Sequence, residues 1–531
     1  MPSIDSNVLK RHYKALSHLR ERKKADRLAL FLGAGVSKPF RLPNWAELIS
    51  KIEQAPEFDG YQPNEQVKDL NIRSQRLIQY LIKKESSLNV AIEIVSERIA
   101  KHKWLKIVHR CLYSGSNVED ESFEHPYLSN FLGVIKESPL TVNYNFDDCV
   151  ERMLSKEYRQ EQNDSREKVF ETVWEPSTQY QKSKGVIYHP NGFLPLKLVE
   201  GYSDSIVFTE SEFADQLILS MQSHYSTLVS HLTRYTSVFI GLSLNDPTLK
   251  NLLRQNTNIN PGHVHYYLKY CNELPTVEEM ETEKAINFEV FGVVTLHLTG
   301  DEFAAFGRLL STSDDTYDEL ADRYGLHTKF TYYITGAVGA GKTTTVNKMK
   351  SLKWFGEWIE SKPDELAKPH TDLTKEERQK VDKWVSDQFR KKDFKIEKVK
   401  CGLIISDRSP LDPLAFSKID NLNSRAKEHL NIISPHASIK RLNKGHIILL
   451  SASGQELFSR TKHRHENATP EYLENQQETI RKLYSELKIT ELSTSGRLVD
   501  EVVKCISKII HLGPYHEQDI HNKLEVLAGE K

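Results

Sequence analysis

The segment Gly336-Ala337-Val338-Gly339-Ala340-Gly341-Lys342-Thr343 fills every position of the GxxxxGK[ST] phosphate-loop pattern, with a β-like apolar run, Phe330 to Thr335, before it and a helix-like run after it. Strand, glycine loop and helix in that order constrain this part of the chain to an α/β unit that grips a nucleotide phosphate. Backbone N–H groups of the loop at Gly336, Gly339 and Gly341 would surround the β-phosphate, Lys342 would neutralise β- and γ-oxygens, and the Thr343 hydroxyl would ligate Mg2+. Thr344 starts the helix and adds a phosphate contact. The chain has 531 residues, which at about 150 residues per domain leaves room for two to four domains.

A second α/β unit is legible upstream, because short apolar runs alternate there with helix-like stretches, as expected of a parallel sheet covered by helices. The upstream runs are Leu28 to Leu32, Leu140 to Tyr144, Val186 to His189, Val238 to Leu242, Val264 to Leu268 and Val293 to Leu296. Downstream, Cys401 to Ser406 and Gly445 to Ser451 join Phe330 to Thr335. The expected fold class is therefore α/β in both halves. The first unit spans 1–305, a linker of helix-like spacing broken by a Ser/Thr/Asp cluster spans 306–327, the phosphate-loop unit spans 328–515, and a tail at 516–531 frays from Glu525. The Lys/Glu/Asp-dense stretch 361–400 and the basic run Arg20 to Lys24 read as solvated helix faces.

Composition excludes several classes. Lys plus Arg number 72 against 73 Asp plus Glu, a net charge of -1, so the bulk balance calls for neither nucleic acid nor an anionic membrane. No stretch approaches the roughly 18 to 20 unbroken apolar residues of a membrane helix. The N-terminus is charged where an export signal would be apolar, so the expected location is cytoplasmic. The five cysteines form no CxxC pair, which fits reduced thiols and no structural zinc.

At the end of the first apolar run, Gly33-Ala34-Gly35-Val36-Ser37 puts two glycines and a serine directly after a buried strand, where a turn can present backbone N–H groups to phosphates. A tight structural turn would look the same. Further along the chain come Leu42-Pro43-Asn44-Trp45, then VNYNFDDCVE at 142–151, then Ile187-Tyr188-His189-Pro190-Asn191-Gly192-Phe193, and then Ile240-Gly241-Leu242-Ser243-Leu244-Asn245-Asp246-Pro247. Together these resemble the Sir2-like family, meaning sirtuins and, more closely, the Sir2-like proteins of bacterial antiphage defence. The resemblance implies a Rossmann-type NAD domain, with Gly33, Ala34, Gly35, Ser37 and Asn44 at the nucleotide and Gly241, Ser243 and Asp246 around the adenosine ribose. It also implies Asn145 as the catalytic amide, Asp147 as its acidic partner and His189 as the histidine of the site. An alternative register would choose Asn143. The chain departs from the family pattern at Arg41, where glycine is common, at Asn143 in place of Thr, and at Asn191 in place of the His before the glycine.

The chemistry suits these residue types. Breaking the nicotinamide–ribose bond leaves an oxocarbenium-like ribose to which water must be delivered. An Asn amide donates and accepts, so it can hold a ribose hydroxyl and that water together. A His near neutral pKa can take the proton. Positions 189 and 191 of an alternating strand point the same way, so His189 could still face the pocket. The other reading of Asn191 is a degenerate site that binds a nucleotide without cleaving it. Deacylating sirtuins carry a zinc module with paired cysteines, and its lack here favours NAD hydrolysis over lysine deacylation.

In the second unit, Ser406-Asp407-Arg408-Ser409-Pro410 follows an apolar strand, and Arg460, Arg464 and Glu466 lie in SRTKHRHE. These resemble the DR/ERS element and arginine lid of deoxynucleoside and nucleoside-monophosphate kinases, over about 328–490. The resemblance implies that Asp407, Arg408, Arg460 and Arg464 join the phosphate loop around the nucleotide. Glu357 with Trp358 stands where such kinases place a substrate-side carboxylate. His463 and His465 read as solvated side chains, not as metal ligands.

The two resemblances together imply a cytoplasmic NAD+ glycohydrolase, with NAD+ as substrate, acting as an abortive-infection effector against phage. It would be gated by ATP or another nucleotide with Mg2+ at the second unit, set off by a phage-derived trigger, and would work as a homo-oligomer. Such a trigger must bind the active arrangement more tightly than the resting one. The alternatives are a nucleoside or nucleotide kinase whose first unit only binds NAD or ADP-ribose, an NAD-dependent protein deacylase, and a non-catalytic scaffold.

Overall fold

The computed structural model describes residues 3–530 apart from 64–66, 89–92, 121, 162–169, 176–179, 209–223, 245–246, 368–372, 417–420, 436–440 and 463–468. The chain divides into two compact units. One comprises Met1–Arg11, Arg22–Asn256 and His265–Tyr317; the other comprises His12–Glu21, Thr257–Val264 and Asp318–Lys531.

The first unit is built on seven strands: β1 (Leu28–Leu32), β2 (Leu140–Asn143), β3 (Glu171–Val173), β4 (Val186–Tyr188), β5 (Thr236–Ile240), β6 (His265–Tyr270) and β7 (Val293–Leu298). They form one parallel sheet in the order β3-β4-β2-β1-β5-β6-β7. Helices cover both faces, so β1 is buried at every residue and reads as an unbroken apolar run. β1 lies between β2 and β5, with Leu32 opposite both Asn143 and Ile240. The chain passes from β1 to β2 on one side and from β5 to β6 on the other, so the direction of winding changes between β1 and β5.

The second unit has five strands, β8 (Lys329–Gly336), β9 (Lys353–Phe355), β10 (Gly402–Asp407), β11 (His446–Ser451) and β12 (Thr490–Ser493). All run parallel in the order β12-β11-β8-β10-β9. Central β8 sets Ile334 opposite Asp407 on one side and Gly336 opposite Leu450 on the other. Its core joins Ile334, Leu403, Ile405 and Ile448 from the strands to Val503, Ile506 and Leu524 from helices.

The apolar runs read from the sequence fall on β1, β2, β4 to β8, β10 and β11. The strands β3, β9 and β12 are edges with partly solvated side chains, so no apolar run marks them. The stretch read as a linker of helix-like spacing is helical, at Gly300–Ser311 and Asp314–Arg323. Phe306, Leu309, Leu310 and Tyr317 are buried there, so the apolar spacing belongs to a core. The expected tail likewise carries a helix, Ile520–Leu527, whose Ile520 and Leu524 are buried. Arg20 and Arg22, read as solvated, are buried, and so are Gln388, Lys392 and Asp393 within the helix Lys375–Glu397. Among the described residues no helix is long and apolar enough to cross a membrane.

Candidate functional site

In the first unit, β1 ends on a turn whose Gly33 and Gly35 N–H groups donate to the carbonyls of Ile240 (3.0 Å) and Gly241 (2.9 Å) at the end of β5. The two turns approach so closely that a Cβ on Gly35 would stand 2.8 Å from Gly241 Cα, and one on Gly241, whose φ is +68°, would stand 2.6 Å from Val36 N. Only glycine fits both positions. His125 Nε2–H donates to Val36 O (2.8 Å) and the Tyr127 hydroxyl donates to Gly35 O (2.9 Å), tying the turn down. Burial brings the His125 pKa down to about 4, so the ring is neutral, and its Nδ1 accepts from Leu128 N–H (2.9 Å).

The loop after β2 delivers Asn145 to this turn. Its Nδ2 donates to Gly33 O (3.0 Å) and to Ser37 Oγ (2.9 Å), and the Ser37 hydroxyl donates to Asp147 Oδ2 (2.7 Å). Asn143 Oδ1 accepts the Asn145 N–H (3.1 Å), while Asn143 Nδ2 is buried without a hydrogen-bond partner. The Asn145 amide thus sits on the glycine turn, and Asn143 braces the loop from the strand end. Asp147 also accepts from Cys149 N–H (3.1 Å), yet burial raises its pKa. Burial first and then Glu151 push Asp148 up to about 6, and it receives the Tyr113 hydroxyl (3.1 Å).

His189 follows β4 and is fully buried. Its Nδ1 lies 2.7 Å from Asn145 O and its Nε2 lies 2.8 Å from Glu151 Oε1. Burial opposes a charge on the ring, but the Glu151 carboxylate outweighs it and the His189 pKa is raised. Glu151 was missed as a site residue in the sequence, although it closes the VNYNFDDCVE element. The signal for it was its place one helical turn beyond Asp147, on the buried side of the helix Cys149–Glu161. Half-buried Asn191 donates from Nδ2 to Tyr144 O (3.2 Å), joining the same loop. Gly33, Gly35, Ser37, Asn145, Asp147, His189 and Gly241 therefore converge. Asn44 is exposed and caps the helix Trp45–Glu53, its Oδ1 accepting from Glu47 N–H (3.0 Å). Ala34 and Ser243 are exposed near the two turns. Asp246 lies outside the described residues.

In the second unit, β8 runs straight into the phosphate loop, where Gly336, Gly339 and Gly341 all take positive φ (146°, 86° and 96°). A Cβ on Gly336 would collide with the Leu450 carbonyl oxygen. Lys342 is buried and donates to Gly336 O and Ala337 O, both at 2.8 Å. Burial, and then the charge of Arg408, bring its pKa down to about 8. Thr343 and Thr344 stand exposed at the start of the helix Lys342–Lys348.

Asp407 ends β10 beside this loop, fully buried, with both carboxylate oxygens lacking a hydrogen-bond partner. Arg408, at φ +68°, donates from Nε to Glu357 Oε1 (2.7 Å), so the arginine expected at the nucleotide phosphates meets the carboxylate expected on the substrate side. Buried Lys392, which the sequence did not single out, donates to the Asp407 main-chain oxygen (2.7 Å), and burial lowers its pKa to about 8. It was hidden by a charge-dense stretch that reads as solvated. Arg460 turns to Thr494, donating to its Oγ1 (2.9 Å) and its carbonyl (3.0 Å). Arg464, His463, His465 and Glu466 lie outside the described residues.

The donor set fits a magnesium-bound nucleotide. A loop that only glycine can form, a buried ammonium and an unpartnered buried carboxylate are what a polyphosphate and a hard cation require. Among the described residues no group of three or more His, Cys, Asp or Glu could hold a metal by itself.

A SIR2-like domain model matches residues 139–291 and an AAA domain model matches residues 331–498. No curated protein matches the chain. Among solved structures, deoxyadenosine kinase from M. mycoides with dCMP and dCDP is similar at 20% identity and a TM-score of 0.27, covering 33% of this chain and 96% of that one. The same kinase with dATP gives equal identity and TM-score, with 95% of that chain covered. The chain carries two parallel-sheet α/β domains, a Sir2-like domain followed by a P-loop AAA-type domain, which imply NAD and nucleotide binding.

Proposed function

We propose that the first unit hydrolyses NAD+ to nicotinamide and ADP-ribose, and that a nucleotide with Mg2+ at the second unit switches this activity. The observation that carries the reading is the Asn145 amide, seated on the glycine turn with Asp147, Asp148 and Glu151 around its loop. As the ribose C1′–N bond breaks, its electron pair moves to the pyridinium ring, which leaves as neutral nicotinamide. Positive charge gathers on the ribose, and nearby carboxylates favour it more in the transition state than in the ground state. Water adds to C1′ and its proton is released, giving ADP-ribose. Unrestrained loss of NAD would kill the host, so the reading includes a gate, for which buried Lys342 is the sensor of the nucleotide phosphates. The setting we propose is a cytoplasmic homo-oligomer that depletes NAD in a phage-infected cell when a phage-derived trigger acts. The test is nicotinamide release by the purified chain beside Asn145→Ala, together with NAD content and phage yield in infected bacteria. Unchanged NAD and unchanged yield contradict the role.

One observation favours a second reading. The unpartnered Asp407 carboxylate, close to Lys342 and Arg408, suits a base that takes the proton from a nucleoside hydroxyl as the γ-phosphoryl group of ATP transfers to it. Phosphorylated product from labelled ATP and a nucleoside panel would support it. Its absence across the panel contradicts it.

A further inference from the structure

His189 has both ring nitrogens engaged. A carbonyl oxygen can only accept, so Nδ1, 2.7 Å from Asn145 O, carries a proton; Nε2 meets Glu151 Oε1 at 2.8 Å. Two protonation states fit that contact, an imidazolium against a carboxylate or a neutral ring against a protonated Glu151. In neither is a ring lone pair free to take a proton from water or a ribose hydroxyl. The ring is 0% exposed, and the Phe193 ring lies beside it at 4.7 Å between centres. Asn145 is consequently fixed at three places: its carbonyl by His189, its N–H by Asn143 Oδ1, and its amide by Gly33 O and Ser37 Oγ.

We infer that His189 is a positioning residue, oriented by Glu151, which fixes the Asn145 amide for the ribose, and that it is not the proton acceptor in NAD cleavage. The inference rests on the NADase reading of the first unit. The charged groups facing the ring are Glu151 and Asp147; Asp148, bonded to Tyr113, neighbours Glu151. Buried Glu151 without its ring partner would be a lone charge in the interior.

The full chain is compared with His189→Ala, His189→Asn and Glu151→Gln. An Asn amide can donate to the Asn145 carbonyl from near the Nδ1 position but cannot act as a base. Nicotinamide release is expected to fall at least about 100-fold in His189→Ala and to recover to within about tenfold of wild type in His189→Asn. The pH profile of His189→Asn is expected to parallel that of wild type from about pH 6 to about pH 8.5. An Asn variant as inactive as the Ala variant, or one that loses an inflection present in wild type, overturns the inference. ADP-ribose binding by calorimetry repeats the comparison without turnover: about tenfold weaker in His189→Ala and restored in His189→Asn, with equal affinities in all three overturning it. If wild type binds ADP-ribose but releases no nicotinamide with any nucleotide present, the NADase reading fails, while the binding series still decides the role of His189. Wild type that binds no ADP-ribose overturns both. Should His189→Ala fail to fold, Glu151→Gln carries the test beside His189→Asn. A turnover loss beyond about 100-fold in Glu151→Gln with unchanged ADP-ribose affinity marks a base and its orienter, and overturns the inference.

Discussion

The turn at Gly33–Ser37 and the loop at Gly336–Thr343 both come directly after a buried central parallel strand and both need glycine for close backbone approach, yet they are surrounded by different chemistry. Around the first stand neutral amides and buried carboxylates, Asn145, Asp147 and Glu151. Around the second stand buried cations, Lys342 and Lys392, with Arg408 beside them and the buried carboxylates Asp407 and Asp412 among them. The first suits charge that becomes positive during a reaction. The second suits charge that is negative in the ligand from the start. Similar backbone devices thus serve different reactions, and the side chains at the neighbouring strand ends decide which.

Exchanging the sites' key groups breaks the comparison most sharply. Lys342→Ala is expected to weaken binding of ATP with Mg2+ by at least about 100-fold while ADP-ribose binding to the first unit stays within about twofold, both measured by calorimetry. Asn145→Ala should do the reverse, lowering nicotinamide release by about 100-fold or more with ATP affinity preserved. Equal effects of either variant on both ligands would mean that the two sites do not have separate chemistries.

Backbone approach supplies the next largest effect. Gly241→Ala must place a Cβ at φ +68°, 2.6 Å from Val36 N, and should destabilise the first unit by about 2 to 4 kcal/mol. Hydrogen exchange should show earlier opening confined to residues of that unit. An unshifted pattern would mean that the turns can part without cost.

At Asp407 the comparison becomes a question of metal. Asp407→Asn removes an unpartnered buried carboxylate and is expected to weaken ATP with Mg2+ by about tenfold, leaving metal-free ATP nearly unaffected. Equal losses with and without the ion would assign Asp407 to packing.

Acid should separate the units by a smaller margin. Burial brings His125 and His231 in the first unit to about 4, and in the second His429 and His446 to about 4 and His511 to about 3. Each of these rings is neutral when folded, with a pKa below its unfolded value near 6.5, so stability is lost as pH falls from about 6.5 toward 4. Asp148, pushed up to about 6, works the other way: the folded first unit holds its proton more tightly, which offsets part of the loss between about pH 6 and 4. By pH 5.5 the second unit, with three such rings against two, should have lost more stability than the first. Hydrogen exchange at pH 7 and 5.5 resolves this, and equal changes in both units would count against it.

The sequence showed the central strands and both glycine loops because a strand covered on both faces is apolar throughout, and a loop at positive φ needs glycine at fixed spacing. It hid β3, β9 and β12, whose edge positions let residues such as Glu171, Lys353 and Glu491 face water. Site residues that work through burial were also hidden. Lys392 and Glu151 carry charges, so they read as surface, and only the fold places them at strand ends. For His189 the motif gives residue type and order, while the partners of its ring nitrogens depend on which helix packs over it.

The most direct measurement is nicotinamide release from NAD+ by the purified full chain, with and without ATP and Mg2+, for wild type, Asn145→Ala and Lys342→Ala. The account predicts release by wild type that changes with the nucleotide, none from Asn145→Ala, and release from Lys342→Ala that no longer responds to the nucleotide. Release that persists in Asn145→Ala, or a nucleotide response that survives Lys342→Ala, would contradict it.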